Sequence, residues 1–146
     1  MAIDTSGEWW KGDQPEDIRE YLKALTADEY RTDEFRLSKC TCGSTLFSVL
    51  ADQNEGAACR TCAACGSTSY ICDSEEYWEE AEPEQWTCVD CGTDQANVGV
   101  GYSLRDPDGD IRWVYLGIRC GNCGVLGCYA DWKIDYGPSK HLLNQA

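Results

Sequence analysis

The sequence predicts a small α+β protein that is mostly β, with short antiparallel hairpins and an N-terminal helix, and that is stapled by metal ions. Three observations lead to this prediction. Eight of the eleven cysteines fall into four close pairs, which group into two sets of four. β-rich segments follow these pairs. The length of 146 residues leaves each set in a segment too short for a sizeable core, so bound metal would replace the missing core.

The N-terminal helix is predicted over residues 12–25. Asp13 or Gln14 can cap it, and Pro15 suits its first turn. Its apolar side chains recur at i, i+3, i+4 and i+7, so they share one face. They are Ile18, Tyr21, Leu22 and Leu25. We expect this face to pack on the first cysteine set; the alternative is a free helix that binds a partner.

Strands are predicted around both cysteine sets. Phe35 and Leu37 alternate with polar residues and predict a strand that leads into the first set. Residues 45–50 are β-rich, and a turn signal at residues 52–56 then returns the chain toward Cys62. These segments predict a first, short hairpin.

A second hairpin is the clearest local feature of the sequence. Residues 96–104 and 111–118 are β-rich and flank a strong turn signal at residues 106–110. In the returning strand, Trp113 and Tyr115 fall on one face, and the aliphatic residues between and after them fall on the other.

The two cysteine sets have the composition of four-thiolate metal sites. The first set is Cys40, Cys42, Cys62 and Cys65, and the second is Cys88, Cys91, Cys120 and Cys123. Four thiolates suit a tetrahedral Zn²⁺ ion, so we predict two zinc ions; iron is the alternative metal. A glycine follows the closing cysteine of all four pairs, where a positive φ is needed. We call each pair with its glycine a knuckle.

Three cysteines lie outside this assignment. Cys59 and Cys62 form a competing pair, but the pair of Cys62 and Cys65 has the following glycine and is preferred. Cys72 and Cys128 are predicted to be small buried side chains, with a redox role as the weaker alternative.

The four knuckles, joined by predicted hairpins, resemble the zinc ribbon, or rubredoxin-like, fold group. The resemblance covers residues 38–75 and 86–136 and implies tandem zinc ribbons, but no particular function. The first knuckle departs from the pattern, since one residue separates its cysteines, and the second set has a long loop of 28 residues between its pairs. The implied divisions are an N-terminal helical segment (1–39), ribbon 1 (40–72), an acidic bridge (73–87), ribbon 2 (88–136) and a C-terminal tail (137–146).

The two ribbons also align with each other. Superposing Cys65 on Cys123 places Asp73 on Asp131 and Trp78 on Tyr136. A duplicated unit is the simplest explanation. We therefore expect the two ribbons to pack as a pseudo-symmetric pair.

The charge of the chain favours a basic protein partner. Twelve Lys and Arg residues against 26 Asp and Glu residues give a net charge of −14, which repels phosphate backbones. Seven carboxylates lie between residues 73 and 84, so the acidic bridge is the predicted partner surface; the alternative is a solvated spacer. Its predicted contact residues are Glu75, Glu76, Trp78, Glu79 and Glu80. Other aromatic candidates are Trp9, Trp10, Tyr77 and Trp86.

These features favour an adaptor, or an immunity-type inhibitor of a basic toxin, over an enzyme. A four-thiolate site leaves no open position for substrate, and the single histidine, His141, lies apart from any cysteine or carboxylate motif. No motif for a small-molecule substrate is present. Nucleic-acid binding through Arg105, Arg112 and Arg119, and electron transfer by bound iron, are the alternative functions.

The sequence predicts a cytoplasmic protein. It has no apolar stretch of membrane-spanning length, and residues 1–10 contain no apolar run of the kind found in signal peptides. Closely spaced cysteines in a reducing compartment are typically metal ligands and not disulfides.

Overall fold

Two antiparallel hairpins lie at the centre of one continuous sheet. The computed structural model describes residues 3–4, 10–28, 30–52, 56–72, 74–105, 110–134, 142–143 and 146, and this part of the protein is mostly β. Its strands are β1 (Ile3–Asp4), β2 (Lys11–Gly12), β3 (Glu34–Leu37), β4 (Phe47–Asp52), β5 (Ala57–Cys62), β6 (Thr68–Tyr70), β7 (Glu84–Gln85), β8 (Ala96–Leu104), β9 (Ile111–Cys120) and β10 (Leu126–Lys133). Its helices are α1 (Asp17–Leu25) and a 3-10 helix (Ser74–Glu80).

The sheet connects the segments of both cysteine sets. β4 and β5 form the first hairpin, β8 and β9 form the second, and the strand order is β10-β9-β8-β4-β5-β6 with antiparallel neighbours. β3 pairs with β8 and β7 pairs with β4, while β1 and β2 form a separate ribbon. The two hairpins therefore share one sheet, and the domain boundaries drawn from the sequence stay a prediction.

The hairpins are joined where Phe47 of β4 lies opposite Ala96 of β8. These residues occupy equivalent positions, because Phe47 also pairs with Cys62 in the first hairpin and Ala96 pairs with Cys120 in the second. Antiparallel pairing of equivalent residues is the arrangement that a local two-fold axis produces. The register at this join is thus the one that pseudo-symmetric packing requires.

Backbone hydrogen bonds beside the join repeat the same equivalence. The N–H of Ala63 donates to the carbonyl of Leu46 at 2.9 Å, and the N–H of Gly121 donates to the carbonyl of Gln95 at 3.0 Å. In each hairpin the donor directly follows the cysteine that ends the second strand, and the acceptor directly precedes the first strand. The two hairpins therefore begin and end in the same way.

The main core lies between the hairpins. Phe47 and Val49 of β4 are completely buried, as are Val98, Val100 and Tyr102 of β8, and all five belong to one apolar cluster. Burying each such side chain contributes about 1.5–3 kcal/mol. On β9 the side chains of this cluster are Ile111, Val114, Leu116 and Ile118.

The second hairpin matches its prediction closely. The sequence predicted strands over residues 96–104 and 111–118, and the second strand extends only two residues further, to Cys120. Trp113 and Tyr115 lie in a separate cluster from the neighbouring aliphatic residues, which confirms the predicted division of β9 into two faces. β3 confirms the strand predicted at Phe35 and Leu37. Of the turn predicted at residues 106–110, residues 106–109 lie outside the described residues.

The helix packs on the second hairpin, so the prediction that it packs on the first cysteine set is wrong. Ile18 and Leu22 are completely buried against Tyr115 of β9 and Leu126 of β10. Tyr21 lies partly buried at the same cluster, whereas Leu25, also assigned to the apolar face, is 48% exposed. The helix thus covers the face of the second hairpin that points away from the main core.

Glycines on that face explain why the helix packs on the second hairpin and not on the first. Gly99 and Gly117 are directly opposed across β8 and β9. A Cβ at Gly117 would clash with Ile18, and one at Gly101 would lie 3.0 Å from Leu22. Because these positions carry no side chain, the helix can approach the sheet backbone closely. The first hairpin offers no comparable row of glycines in its strands.

The start of the helix also differs from its prediction. Glu16 is the N-cap residue and makes no side-chain capping bond, so Asp13 and Gln14 are not caps. Instead, the carboxylate of Asp17 accepts a 3.0 Å hydrogen bond from the N–H of Gln14. α1 spans nine residues, and no helix within the described ranges has the length and apolar character needed to cross a bilayer.

Candidate metal centres

All four knuckles use the same pair of backbone hydrogen bonds. In each, the N–H of the glycine donates to the carbonyl of the opening cysteine, at 2.9 to 3.1 Å. The N–H of the opening cysteine donates to the carbonyl two residues after the closing cysteine, at 2.8 or 2.9 Å. The carbonyls that accept this second bond belong to Ser44, Ser67, Thr93 and Val125. The shorter first knuckle keeps both bonds and closes a loop that is one residue smaller.

The glycines adopt the backbone conformation that the sequence predicted. Their φ values are +96° at Gly43, +77° at Gly66, +78° at Gly92 and +84° at Gly124. This left-handed region costs a residue with a Cβ about 1–2 kcal/mol. The regular glycine after each closing cysteine therefore reflects the turn that aims two thiols at one point.

The first cluster brings together the four cysteines predicted for the first site. The Sγ atoms of Cys40 and Cys65 are 3.5 Å apart, and those of Cys42 and Cys62 are 3.6 Å apart. Cys59, the competing candidate, is buried on β5 and is not a member of this cluster. The preference for the pair of Cys62 and Cys65 is thereby supported.

The second cluster has the same geometry. The Sγ atoms of Cys88 and Cys123 are 3.5 Å apart, and those of Cys91 and Cys120 are also 3.5 Å apart. In both hairpins the cluster lies where the first strand begins and the second strand ends. The hairpin therefore sets the distance between the two knuckles of a cluster.

These distances fit a four-coordinate metal ion. Zn–S bonds of about 2.3 Å in a tetrahedron place neighbouring sulfurs about 3.8 Å apart. Within each cluster all four Sγ atoms lie within 4.8 Å of one another. Each cluster could hold one metal ion, and soft thiolate ligands favour zinc or iron over magnesium or calcium.

Hydrogen bonds favour the ionised form of at least one thiol in each cluster. The N–H of Cys65 is the largest of the causes that lower the pKa of Cys62 to about 6. In the second cluster, the side chain of Asn122 is the largest cause that lowers the pKa of Cys91 to about 6. Burial raises the pKa of Cys123 to about 12. Adjacent thiolates repel one another, and a bound cation would offset that repulsion and allow all four thiols of a cluster to ionise.

The opening and closing cysteines differ in exposure. The opening cysteine of every knuckle is buried, whereas Cys42, Cys65 and Cys91 are exposed and Cys123 is partly exposed. Each cluster thus has one side anchored in the protein and one side at the surface.

Next to Cys88, the side chain of Val89 is 67% exposed, so this knuckle presents an apolar side chain to solvent.

The remaining two cysteines have different surroundings. Cys72 is buried, as predicted, and its Sγ lies 3.6 Å from the hydroxyl of the completely buried Tyr102. Its φ of +57° is unusual for a residue other than glycine. Cys128 is only partly buried, unlike the buried side chain that was predicted, and a register shift between β9 and β10 directly follows it.

The predicted partner surface forms a 3-10 helix beside the first hairpin. Glu75, Glu79 and Glu80 are exposed, and Trp78 packs edge to face on Tyr70 with ring centroids 5.5 Å apart. The side chain of Glu76 lies outside the described residues, as do Trp9, Asp73, Tyr136 and His141. The alignment of Asp73 with Asp131 and of Trp78 with Tyr136 therefore stays a prediction.

The three arginines considered for nucleic-acid binding all make contacts within the protein. Arg119 donates to the carbonyls of Gly12 and Asp13 and to the side chain of Asn97, at 2.7 to 3.0 Å. Arg105 donates to the carbonyl of Ile134 at 2.7 Å. Arg112 donates to the hydroxyl of Ser103, and its guanidinium lies over the ring of Tyr30.

The sequence reasoning overlooked the polar residues around the clusters. The Oγ of Ser67 lies 3.3 Å from Cys65 Sγ, and Asn122 contacts Cys91. Lys11 forms a 3.1 Å ion pair with Asp90 inside the third knuckle. The sequence did contain a signal for the contact of Ser67 with Cys65, since a hydroxyl residue follows the glycine in three of the four knuckles.

No protein-family model, curated protein or solved structure matches this chain.

Proposed function

We propose that the protein is a non-catalytic tandem zinc-ribbon protein whose acidic surface binds a basic protein partner. The zinc part of this proposal rests on four knuckles with the same hydrogen bonds, which bring two sets of four Sγ atoms within 4.8 Å. A four-thiolate zinc ion has no open coordination position, so the metals stabilise the fold and do not activate a substrate. The protein would act as an adaptor or as an immunity-type inhibitor.

Native mass spectrometry of freshly purified protein tests the metal content. We expect two zinc ions per chain. One ion or none would contradict the proposal. The visible spectrum separates zinc from iron, because four-thiolate zinc is colourless and the corresponding ferric site is red.

The proposed acidic surface consists of the 3-10 helix and of β6, whose Tyr70 contacts Trp78 of that helix. Exposed aromatic side chains lie among its carboxylates, since Tyr70 is 37% exposed and Tyr77 is 38% exposed. Among the described side chains, no lysine or arginine forms an ion pair with Glu75, Glu79 or Glu80. Such carboxylates repel one another in the free protein, and a basic partner would relieve that repulsion. The aromatic rings would supply the apolar anchors of the interface.

The experiment compares two variants that each remove three negative charges. The test variant carries Glu75→Gln, Glu79→Gln and Glu80→Gln. The control carries Asp13→Asn, Glu16→Gln and Glu20→Gln, three exposed residues in α1 or just before it, on the second hairpin. Proteins from the native host that bind the wild type are identified, and the affinity of the purified partner is measured at about 50 and about 300 mM salt.

We expect the test variant to bind several-fold more weakly at low salt and to lose most of the salt dependence. The control variant should keep the wild-type affinity and the wild-type salt dependence, apart from a small loss of affinity due to its lower net negative charge. Equal affinities and equal salt slopes for the two variants would contradict the proposed surface. Partners with an acidic isoelectric point would contradict the charge argument itself.

A further inference from the structure

A cleft on the outer face of the second hairpin combines aromatic and acidic side chains. It has a volume of about 480 Å³ and is lined by Asp28, Tyr30, Trp113, Tyr115 and Asp131. Trp113 and Tyr115 are neighbours on one face of β9, and Asp131 of β10 lies opposite Tyr115. Asp28 and Tyr30 come from the loop that follows α1. The cleft is distinct from both thiol clusters and from the acidic bridge.

The loop that closes the cleft is held in place at its base. Thr26 is completely buried, and its Oγ1 lies 3.0 Å from Oγ1 of Thr32 and accepts the N–H of Thr32 at 3.0 Å. The hydroxyl of Tyr115 donates to the carbonyl of Tyr30 at 2.8 Å, so Tyr30 is also bound to β9. These contacts preorganise the cleft, which lowers the entropy cost of binding a ligand.

The two large rings and one carboxylate have fixed relative positions. The ring centroids of Tyr30 and Trp113 are 5.3 Å apart at an interplanar angle of 42°. The indole N–H of Trp113 donates to Asp131 Oδ2 at 3.0 Å. A carboxylate has about four lone-pair sites, so Asp131 can hold the indole and still face a bound cation.

We propose that this cleft binds an organic cation, namely an alkylated ammonium group. The faces of aromatic rings carry negative charge density and attract cations within about 6 Å of the ring centroid, and methyl groups on the cation add apolar contact. Asp28 and Asp131 supply the opposite charge. One face of the Tyr30 ring is already occupied by a cation, because Arg112 Cζ lies 4.4 Å from its ring centroid. The proposed ligand would therefore use Trp113 and Tyr115 as its main aromatic contacts.

A neighbouring cleft restricts the kind of ligand. Arg105, Arg112 and Lys133 line it together with Tyr30. These three positive side chains repel any further positive charge next to the first cleft. The ligand therefore carries one cationic group on a neutral or anionic carrier, and is not a polycationic stretch. This inference does not depend on the acidic bridge or on its partner.

The test uses choline and its neutral isostere 3,3-dimethylbutan-1-ol, which has nearly the same shape without the charge. Each is titrated into the metal-loaded full chain at constant ionic strength, and the indole N–H signal of Trp113 is followed by NMR. We expect choline to bind with a dissociation constant on the order of millimolar and the isostere to bind at least tenfold more weakly.

Two variants locate the site. Trp113→Leu should weaken choline binding by roughly fivefold or more, and Asp131→Asn, which keeps an acceptor for the indole, by about threefold. These variants are followed through other signals of the cleft. Trp78→Leu and Glu79→Gln, on the acidic bridge, should leave the affinity unchanged. Metal content and thermal unfolding of each variant show that it is folded.

The outcomes decide both the site and the source of the cation. Equal binding of choline and its isostere, or equal effects of Trp113→Leu and Trp78→Leu, would overturn the proposal. A short Gly/Ser peptide with one trimethyl-lysine then separates the sources. Tighter binding of the peptide than of choline assigns the cation to a protein side chain, and weaker binding assigns it to a small molecule.

Discussion

The two hairpins carry the same kind of four-cysteine cluster at their ends and have very different surroundings. In the first hairpin, β4 has six residues that alternate between buried and partly buried along most of its length. In the second, all nine residues of β8 are buried. The knuckles at the ends of both hairpins have matching hydrogen bonds and sulfur distances. A shared local geometry at the thiol clusters therefore does not determine how a hairpin packs in the fold.

The difference arises because the second hairpin is covered on both faces. One face forms the main core with Phe47 and Val49 of the first hairpin, and the other receives Ile18 and Leu22 of α1. The first hairpin contributes only to the main core, whereas the second contributes to the main core and also packs against the helix. We expect the two hairpins to contribute unequally to stability.

Loss of a metal site tests this inequality and should have the largest effect. Cys62→Ser and Cys120→Ser should each remove one metal ion, which is worth about 10–16 kcal/mol in small peptides. We expect Cys120→Ser to unfold the whole described structure, and Cys62→Ser to unfold the first hairpin while β9 keeps its contacts with α1. Native mass spectrometry reports the metal, and hydrogen exchange of the β9 amides reports the remaining structure.

The control for this pair is Cys59→Ser, which changes a buried cysteine of the same hairpin that is outside the cluster. It should leave the metal content at the wild-type value. If β9 loses its protection equally in Cys62→Ser and Cys120→Ser, the two hairpins unfold as one unit and the inequality is wrong.

The helix contact should have an intermediate effect. Gly117→Ala places a Cβ against Ile18 and Leu22, and overpacking of this kind costs about 1–3 kcal/mol. Gly127→Ala on β10 is the matched control, since no atom lies within 4 Å of the added Cβ. Urea unfolding of the metal-loaded proteins measures both. A similar change in the free energy of unfolding for the two variants would show that the helix is not closely packed on the glycines.

The knuckle glycines should have the smallest effect, and an equal one in the two hairpins. Gly66 and Gly92 have φ values of +77° and +78°, and an added Cβ at either meets no atom within 4 Å. Alanine there costs only the backbone strain, about 1–2 kcal/mol. Urea unfolding should give changes that agree within about 0.5 kcal/mol. Clearly unequal values would mean that the knuckles differ despite their common hydrogen bonds.

The clusters could be predicted from the sequence because their determinants are local. The spacing of Cys88 and Cys91, with the glycine after them, specifies one turn, and the β-rich segment that follows specifies a hairpin that returns to Cys120. The shortened knuckle at Cys40 was included correctly because it too has the glycine. In each case the residues that decide the structure lie within a few positions of the ligand.

The long-range arrangement could not be predicted in the same way. The pair of Phe47 and Ala96 joins positions 49 apart in the chain, and neither residue carries a mark of that contact. The docking site of α1 did have a signal, namely Gly99, Gly101 and Gly117 on one face of the second hairpin. The cleft lined by Trp113 and Tyr115 had no signal in the sequence, because it depends on how the loop after α1 folds onto these two residues.

The join between Phe47 and Ala96 also has a consequence for assembly. A contact between equivalent residues around a local two-fold axis is self-complementary, as in a symmetric dimer. A chain with only one such hairpin can use the same strand edge to bind a second copy of itself, and that association depends on protein concentration. With both hairpins in one chain, the segment between them (residues 63–95) keeps their effective concentration high. The paired arrangement therefore persists at any dilution.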